Sequence, residues 1–294
     1  MRESGHNGDG LAGGTGRPAA APPRRRSPWP LAVVAALFVV VPFLTWYTTW
    51  FGRGLSDEKI EEYLREGKPR HAQHALSQVA ERVSKGDAGA RRWFPNVLAL
   101  SQSPVTDLRM TAAWVMGEEH RSEEFRAALL RLVEDPEPIV RRNAALALVR
   151  FGDPRCRPEL VAMLRPYAVT AAADGEALTA LPPGTPVKRD SLLLRYRGAA
   201  AGDGEVRSPL PGRVAEARVR EGVRFRAGEA LFRLAPDAEQ AQDALVGLLY
   251  FGTAEDLPEI ERYAAGVEGM TAEVKRQAAL TAEAVKRRAG RQQP

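Results

Sequence analysis

His71 and His74 stand three apart, a spacing that could offer two imidazoles on one helix face to a single metal ion. A stable site takes three or four ligands. No third ligand is evident nearby, with Glu62 and Cys156 distant in sequence, so an exposed helix face is the expected role. Cys156 is the single cysteine and lies between Arg155 and Arg157, cations that could lower its thiol pKa. A small residue at a turn between helices accounts for it as well. Glu118, Glu119, His120, Glu123 and Glu124 crowd together in the manner of acid–base groups, but acidic residues also favour a solvated helix start. The sequence shows no Ser-His-Asp set, phosphate-cradling glycine loop or zinc-protease motif. No catalytic, cofactor-binding or metal-binding residue is therefore assigned, and a non-enzymatic protein without cofactor is expected.

The formal charge of +5 suggests a nucleic-acid binder until its distribution is considered. Residues 1–53 carry Arg2, Arg17, Arg24, Arg25, Arg26 and Arg53 against Glu3 and Asp9, a net +4, which leaves +1 for the other 241 residues. A nucleic-acid partner is not expected. Residues 1–28, rich in Gly, Pro, Ala and Arg without apolar period, read as a disordered cytoplasmic arm. Residues 29–51 contain no charge and are long enough to cross a bilayer as a helix. Trp29 at one end and Trp46, Tyr47 and Trp50 at the other suit the two interfaces, and Pro42 should kink the span. The bulky flank after residue 45 does not resemble a signal-peptide cleavage site. Arginines 24–26 before the span, and Asp57, Glu58, Glu61 and Glu62 after it, place the N-terminus in the cytoplasm and the remainder outside.

The remainder, at 44% hydrophobic for the whole chain, can bury a core. It reads as amphipathic helices with short breaks. Leu108-Arg109 is followed by Ala112-Ala113 and Met116, and Val140-Arg141 by Ala144-Ala145 and Leu148, a shift of 32 residues. Val274-Lys275 precedes Ala278-Ala279, and a weaker copy begins at His71 with Ala75-Leu76. Ala244-Leu245, Leu248 and Phe251-Gly252 echo Ala144-Ala145, Leu148 and Phe151-Gly152 at a shift of 100. Small alanines let neighbouring helices approach while larger aliphatics fill the stack. These segments resemble HEAT repeats, helix pairs stacked into a solenoid. The resemblance implies that Asp135 and Arg141 form the ladder pair linking repeats, although Ser103 and Gly269 replace the acid in two copies.

A shift of 100 is too long for a helical repeat, but removing the 70 residues Tyr167–Pro236 restores it to 30. That segment alternates apolar and polar residues as strands do, and it overlays on itself. Gly175 matches Gly212 at 37 and Gly184 matches Gly222 at 38, at turn positions where a Cβ would be penalised. Ser208-Pro-Leu-Pro-Gly212-Arg-Val, then Glu221-Gly-Val, then Ala227-Gly-Glu-Ala-Leu231 resemble the biotinyl/lipoyl-like half-motif. The same motif builds the barrel-sandwich domain of periplasmic adaptor proteins. A swinging-arm carrier of this family needs a lysine at the hairpin joining the halves. Residues 197–205 have none, and Lys188, the only lysine of the segment, falls elsewhere.

The expected fold is mainly α: a HEAT-like α-solenoid with an inserted small all-β barrel-sandwich domain and one N-terminal transmembrane helix. The divisions are 1–28 arm, 29–51 span, 55–166 helical repeats, 167–236 β domain, 237–290 further repeats and 291–294 tail. The expected role is a membrane-anchored extracytoplasmic scaffold or accessory protein binding protein partners in an integral-membrane complex at the inner membrane. An adaptor-like component of an efflux or secretion assembly is the alternative. The basic run Lys275, Arg276, Lys286, Arg287, Arg288 and Arg291 could touch anionic lipid headgroups or an acidic partner, or simply complement a helix end in water.

Overall fold

A computed structural model describes residues 54–198 and 202–292. The arm and the uncharged span fall outside the described residues, among which no helix is long and apolar enough to cross a membrane.

Helices come in pairs. The first members are α1 (Asp57–Glu66), α3 (Phe94–Leu100), α5 (Glu123–Leu132), α7 (Arg157–Met163) and α9 (Leu257–Ala265). The second members are α2 (Pro69–Ser84), α4 (Thr106–Glu118), α6 (Pro138–Arg150), α8 (Ala238–Phe251) and α10 (Ala272–Gln292). Second members contact one another in order, α2 on α4, α4 on α6, α6 on α8 and α8 on α10, while each also packs on its own first member. Starts are fixed locally: Ser56, Ser122 and Asp237 accept backbone N–H groups at N-caps, and proline opens α2 and α6.

The repeated alanine phrases sit at the contacts. Ala75, Ala112, Ala144, Ala244 and Ala278 are fully buried, and so are their successors Leu76, Ala113, Ala145 and Leu245. At about 100° per residue, one position of each phrase faces the preceding helix and the next faces the following one. Ala279, in the last pair, is exposed and has no following helix among the described residues. Approach is close where α4 meets α6: a Cβ built on Gly117 would lie 2.9 Å from that of Ala147.

Between α7 and α8 lie eight strands: β1 (Tyr167–Thr170), β2 (Gly175–Ala180), β3 (Pro186–Val187), β4 (Leu192–Gly198), β5 (Gly202–Arg207), β6 (Gly212–Ala217), β7 (Arg224–Phe225) and β8 (Ala230–Ala235). They form two four-stranded antiparallel sheets, ordered β1-β8-β6-β3 and β5-β4-β2-β7. Adding four to each strand number carries one order into the other. The hydrogen bonds obey the same exchange. Gly184 N–H donates to Val214 O (2.7 Å) and Val214 N–H to Thr185 O (2.9 Å). Gly222 N–H donates to Ala177 O (2.8 Å) and Ala177 N–H to Val223 O (3.0 Å). Gly184 and Gly222, both at the positive φ that favours glycine, thus make equivalent turns. The sheets enclose their own apolar cluster, with Leu194, Val214 and Phe232 fully buried, apart from the helical core.

Candidate interaction surface

The helix pairs are cross-linked by arginines reaching forward. Arg109 on α4 donates from Nε and Nη2 to Asp135 (2.7 and 3.0 Å), a buried carboxylate that also caps Glu137 N–H. Arg126 on α5 reaches Asp153 (3.3 Å), and Arg157 on α7 reaches Asp256 (2.7 and 3.0 Å). This corrects the Asp135–Arg141 pairing. Arg141 meets only the backbone of that turn, donating to Asp135 O (2.8 Å) and Pro136 O (3.0 Å), and its own acid is Glu159 (3.2 Å). The physical reason is direction: the guanidinium first satisfies carbonyls of its own turn, then extends toward the next pair.

Burial, the largest single influence, would raise the carboxyls of Asp135 and Asp256, but the hydrogen bonds from Arg109 and Arg157, those from the backbone N–H of Glu137 and Thr253 and the arginine charges together hold both below the usual range. Asp153, bound chiefly by Arg155 and also by Arg126, falls to about 2. The opposite happens beside it. Arg142 is buried, its Nε and Nη1 lack hydrogen-bond partners, and burial pushes its guanidinium down to about 10. Glu159, 4.0 Å from Arg142, is held above the usual carboxylate range by burial.

The chemistry-bearing residues do not converge. His71 Nδ1 lies 2.7 Å from Glu66 and its ring stacks on Tyr63 at 4.2 Å, whereas His74 is tilted 47° from Tyr63. Among the described residues no three candidate metal ligands come together. Cys156 is wholly buried, and loss of hydration pushes its thiol up to about 12. The expected lowering by arginine fails because Arg155 turns to Asp153 and Arg157 to Asp256. Glu118 ends α4 and pairs with Arg150 (2.6 Å), so it is not at a helix start; Glu123 and Glu124 are, in the first turn of α5. Lys188 lies in the turn after β3, its N–H bonded to Ser191 Oγ (2.9 Å). In the basic run, Lys286 pairs with Glu261 (2.6 Å), and Arg288 donates to Leu249 O (2.5 Å) and Gly252 O (2.9 Å), satisfying carbonyls at the end of α8.

The strands are seated on the helices at named points. Arg189 pairs with Asp107 of α4 (2.5 Å), Gln240 of α8 donates to Pro211 O (2.7 Å), and Arg213 donates to Glu268 (2.7 Å) between α9 and α10.

The surface that the sequence reading missed is one residue beyond the alanine phrases. Trp114, Leu146, Val246 and Leu280 occupy equivalent positions at shifts of 32, 100 and 34. Trp114 is 44% exposed, Val246 38% and Leu280 57%, with Tyr250 one turn past Val246 at 63%. Leu146 is half-buried between them. Extending the aligned phrases by a single position would have found the stripe. Trp114, Leu146 and Val246 line a concavity of about 370 Å³ that also holds Asn143, Arg150 and Asp243. An ordered series of apolar side chains, exposed on α4, α8 and α10 and half-buried on α6, can bury area against another protein; it offers no reacting groups.

Comparison with known protein families matches residues 95–179 to HEAT repeats. The match begins in α3 and runs past α7 into β2. No relative was found among curated proteins. Such repeats commonly mediate protein–protein contacts, and the stacked helix pairs of this chain are HEAT-like repeats.

Proposed function

We propose that this protein is a membrane-anchored scaffold, or accessory subunit, whose extracytoplasmic helical repeats dock a protein of an integral-membrane complex. Residues 29–51 are the anchor in this reading, with the N-terminus cytoplasmic and the repeats across the inner membrane. The observation that carries the docking role is the register of Trp114, Leu146, Val246 and Leu280. Solvent-facing positions of a merely structural array have no reason to stay apolar in four consecutive pairs.

The two sheets are read as a barrel-sandwich module of the biotinyl/lipoyl-like type. Their exchange symmetry and the matching glycine turns support this. That module also favours the second reading, an adaptor-like component of an efflux or secretion assembly, since adaptors combine one N-terminal span with such a barrel.

A photo-reactive phenylalanine analogue in place of Val246, in the full chain in native membranes, tests the docking role. Cross-linking to one integral-membrane protein, suppressed by Leu146→Glu, is expected; equal yield with Leu146→Glu would defeat it. Protease applied to opened periplasm should digest the repeats, and protection until the inner membrane is breached would defeat the placement. Loss of export on deletion would favour the adaptor.

A further inference from the structure

We infer that the concavity across α4, α6 and α8 seats an amphipathic helix of the partner, anchored by apolar side chains on Trp114, Leu146 and Val246 and by a lysine or arginine on Asp243. This rests on the docking role above and specifies the chemistry of the docked segment.

The spacing suits a helix. Neighbouring helices pack about 8–10 Å apart, so the stripe presents one apolar side chain per 8–10 Å. A helix laid across the row advances about 10.5 Å in seven residues, bringing anchors at i, i+7 and i+14 onto successive positions.

The charge selects which helix. Two charged groups accompany Asp243 in the concavity, Glu118 and Arg150, and they neutralise each other at 2.6 Å. Asp243 has no ion-pair partner among the described residues, and the charges of Glu239 in the first turn of its helix and of Asp237 at the N-cap both repel its own. Asp243 is exposed, and the cation of its concavity, Arg150, is already held by Glu118; partial loss of hydration and like-charge repulsion set its carboxyl above the usual range. A basic side chain arriving beside the apolar anchors relieves that repulsion; an acidic one adds to it. An anionic lipid surface is disfavoured for the same reason.

The probe is a fluorescent amphipathic Leu/Lys peptide of about 18 residues, long enough to cross the row. A Leu/Glu peptide of identical apolar spacing is the control. Binding to the full chain in zwitterionic-lipid nanodiscs is read by anisotropy against empty nanodiscs, with circular dichroism checking the fold of each variant. The Leu/Lys peptide should bind, and Asp243→Asn should weaken it on the order of tenfold, as loss of a charge-assisted hydrogen bond implies. Asp243→Lys should shift preference to Leu/Glu, and Val246→Glu should abolish the Leu/Lys signal. No binding, equal affinity for both peptides, or indifference to Asp243→Asn or to Val246→Glu overturns the inference. Should cross-linking from position 246 still capture a partner in any of those cases, the docking role stands and only the chemistry assigned to the occupant falls.

Discussion

Arg157 and Asp256 hold one another by two parallel hydrogen bonds, Nε to Oδ2 at 2.7 Å and Nη2 to Oδ1 at 3.0 Å, although 99 residues of chain separate them. All eight strands lie in that interval. The link repeats what Arg126 does to Asp153 one pair earlier, so the helical array continues on the far side of the sheets as though uninterrupted. Tyr263 Oη and Arg262 Nη2, both donating to Leu164 O (2.7 and 3.0 Å), close the same seam.

Arg157→Ala should therefore act on the whole fold. It strands a buried carboxylate that only Thr253 then serves, through its N–H and its hydroxyl, and the expected loss is about 1.5–3 kcal/mol. Urea unfolding of the full chain in micelles should show a lower midpoint with unchanged slope. A double-mutant cycle with Asp256→Asn should return a coupling on the order of 1–3 kcal/mol. Additivity of the two single changes would contradict the continuity of the array.

Gly117→Ala sets two effects against each other. Next to the end of α4 the alanine gains at most about 1 kcal/mol from propensity. Here its Cβ would lie 2.9 Å from that of Ala147, and overpacking costs about 1–3 kcal/mol. The clash should win, giving net destabilisation in thermal melts. Ala147→Gly in the same chain should recover most of it, whereas a stabilised single variant would mean that α4 and α6 are farther apart.

Acid should loosen the links between the repeats. Asp153, Asp135 and Asp256 all have carboxyls depressed below the unfolded value of about 3.9. Groups lowered on folding contribute fully above the unfolded value and lose that contribution as pH falls through the folded one. The urea midpoint should therefore fall between about pH 4 and the value of about 2 held by Asp153. Asp153→Asn should cost stability at neutral pH and flatten part of this acid slope; an unchanged slope would remove Asp153 from the account.

Cys156 should be chemically silent in the native chain. The reactive species is the thiolate, and a buried thiol pushed up to about 12 supplies almost none at pH 8. A thiol-reactive chromophore should label nothing until urea is added, then one group per chain. Fast native labelling would show that the turn between α6 and α7 opens readily.

The parts legible in the sequence were those where one residue type must recur. Ala112-Ala113, Ala144-Ala145 and Ala244-Leu245 mark helix contacts because the first position of each takes only a small side chain, and all six are buried. Gly184 and Gly222 marked equivalent turns because both take positive φ. The partner of Asp135 was not legible. Pairing depends on where a long, flexible arginine ends, and Arg109 reaches it from 26 residues upstream while Arg141 is nearer in sequence. Nor was the fate of Cys156 legible, since Arg155 turns to Asp153 in the same turn and Arg157 to Asp256 from the next pair. The apolar stripe was readable but hidden by the habit of seeking apolar residues for a core: Trp114 and Val246 follow the buried phrase by one position and face water instead.

The seam at α7 carries a cost in time. Residues 238–292, which complete the array, emerge only after the 70 residues of the interrupting segment have been synthesised. At translation rates of about 5–20 residues per second, that delay is roughly 4–14 s. Throughout it, Leu160 and Val161 stand on an unfinished edge with the carbonyl of Leu164 unclaimed. Nascent copies of this chain thus pass through a stage in which seven of the ten described helices wait for the last three, a window for holding chaperones and for exchange of the later helices between neighbouring copies.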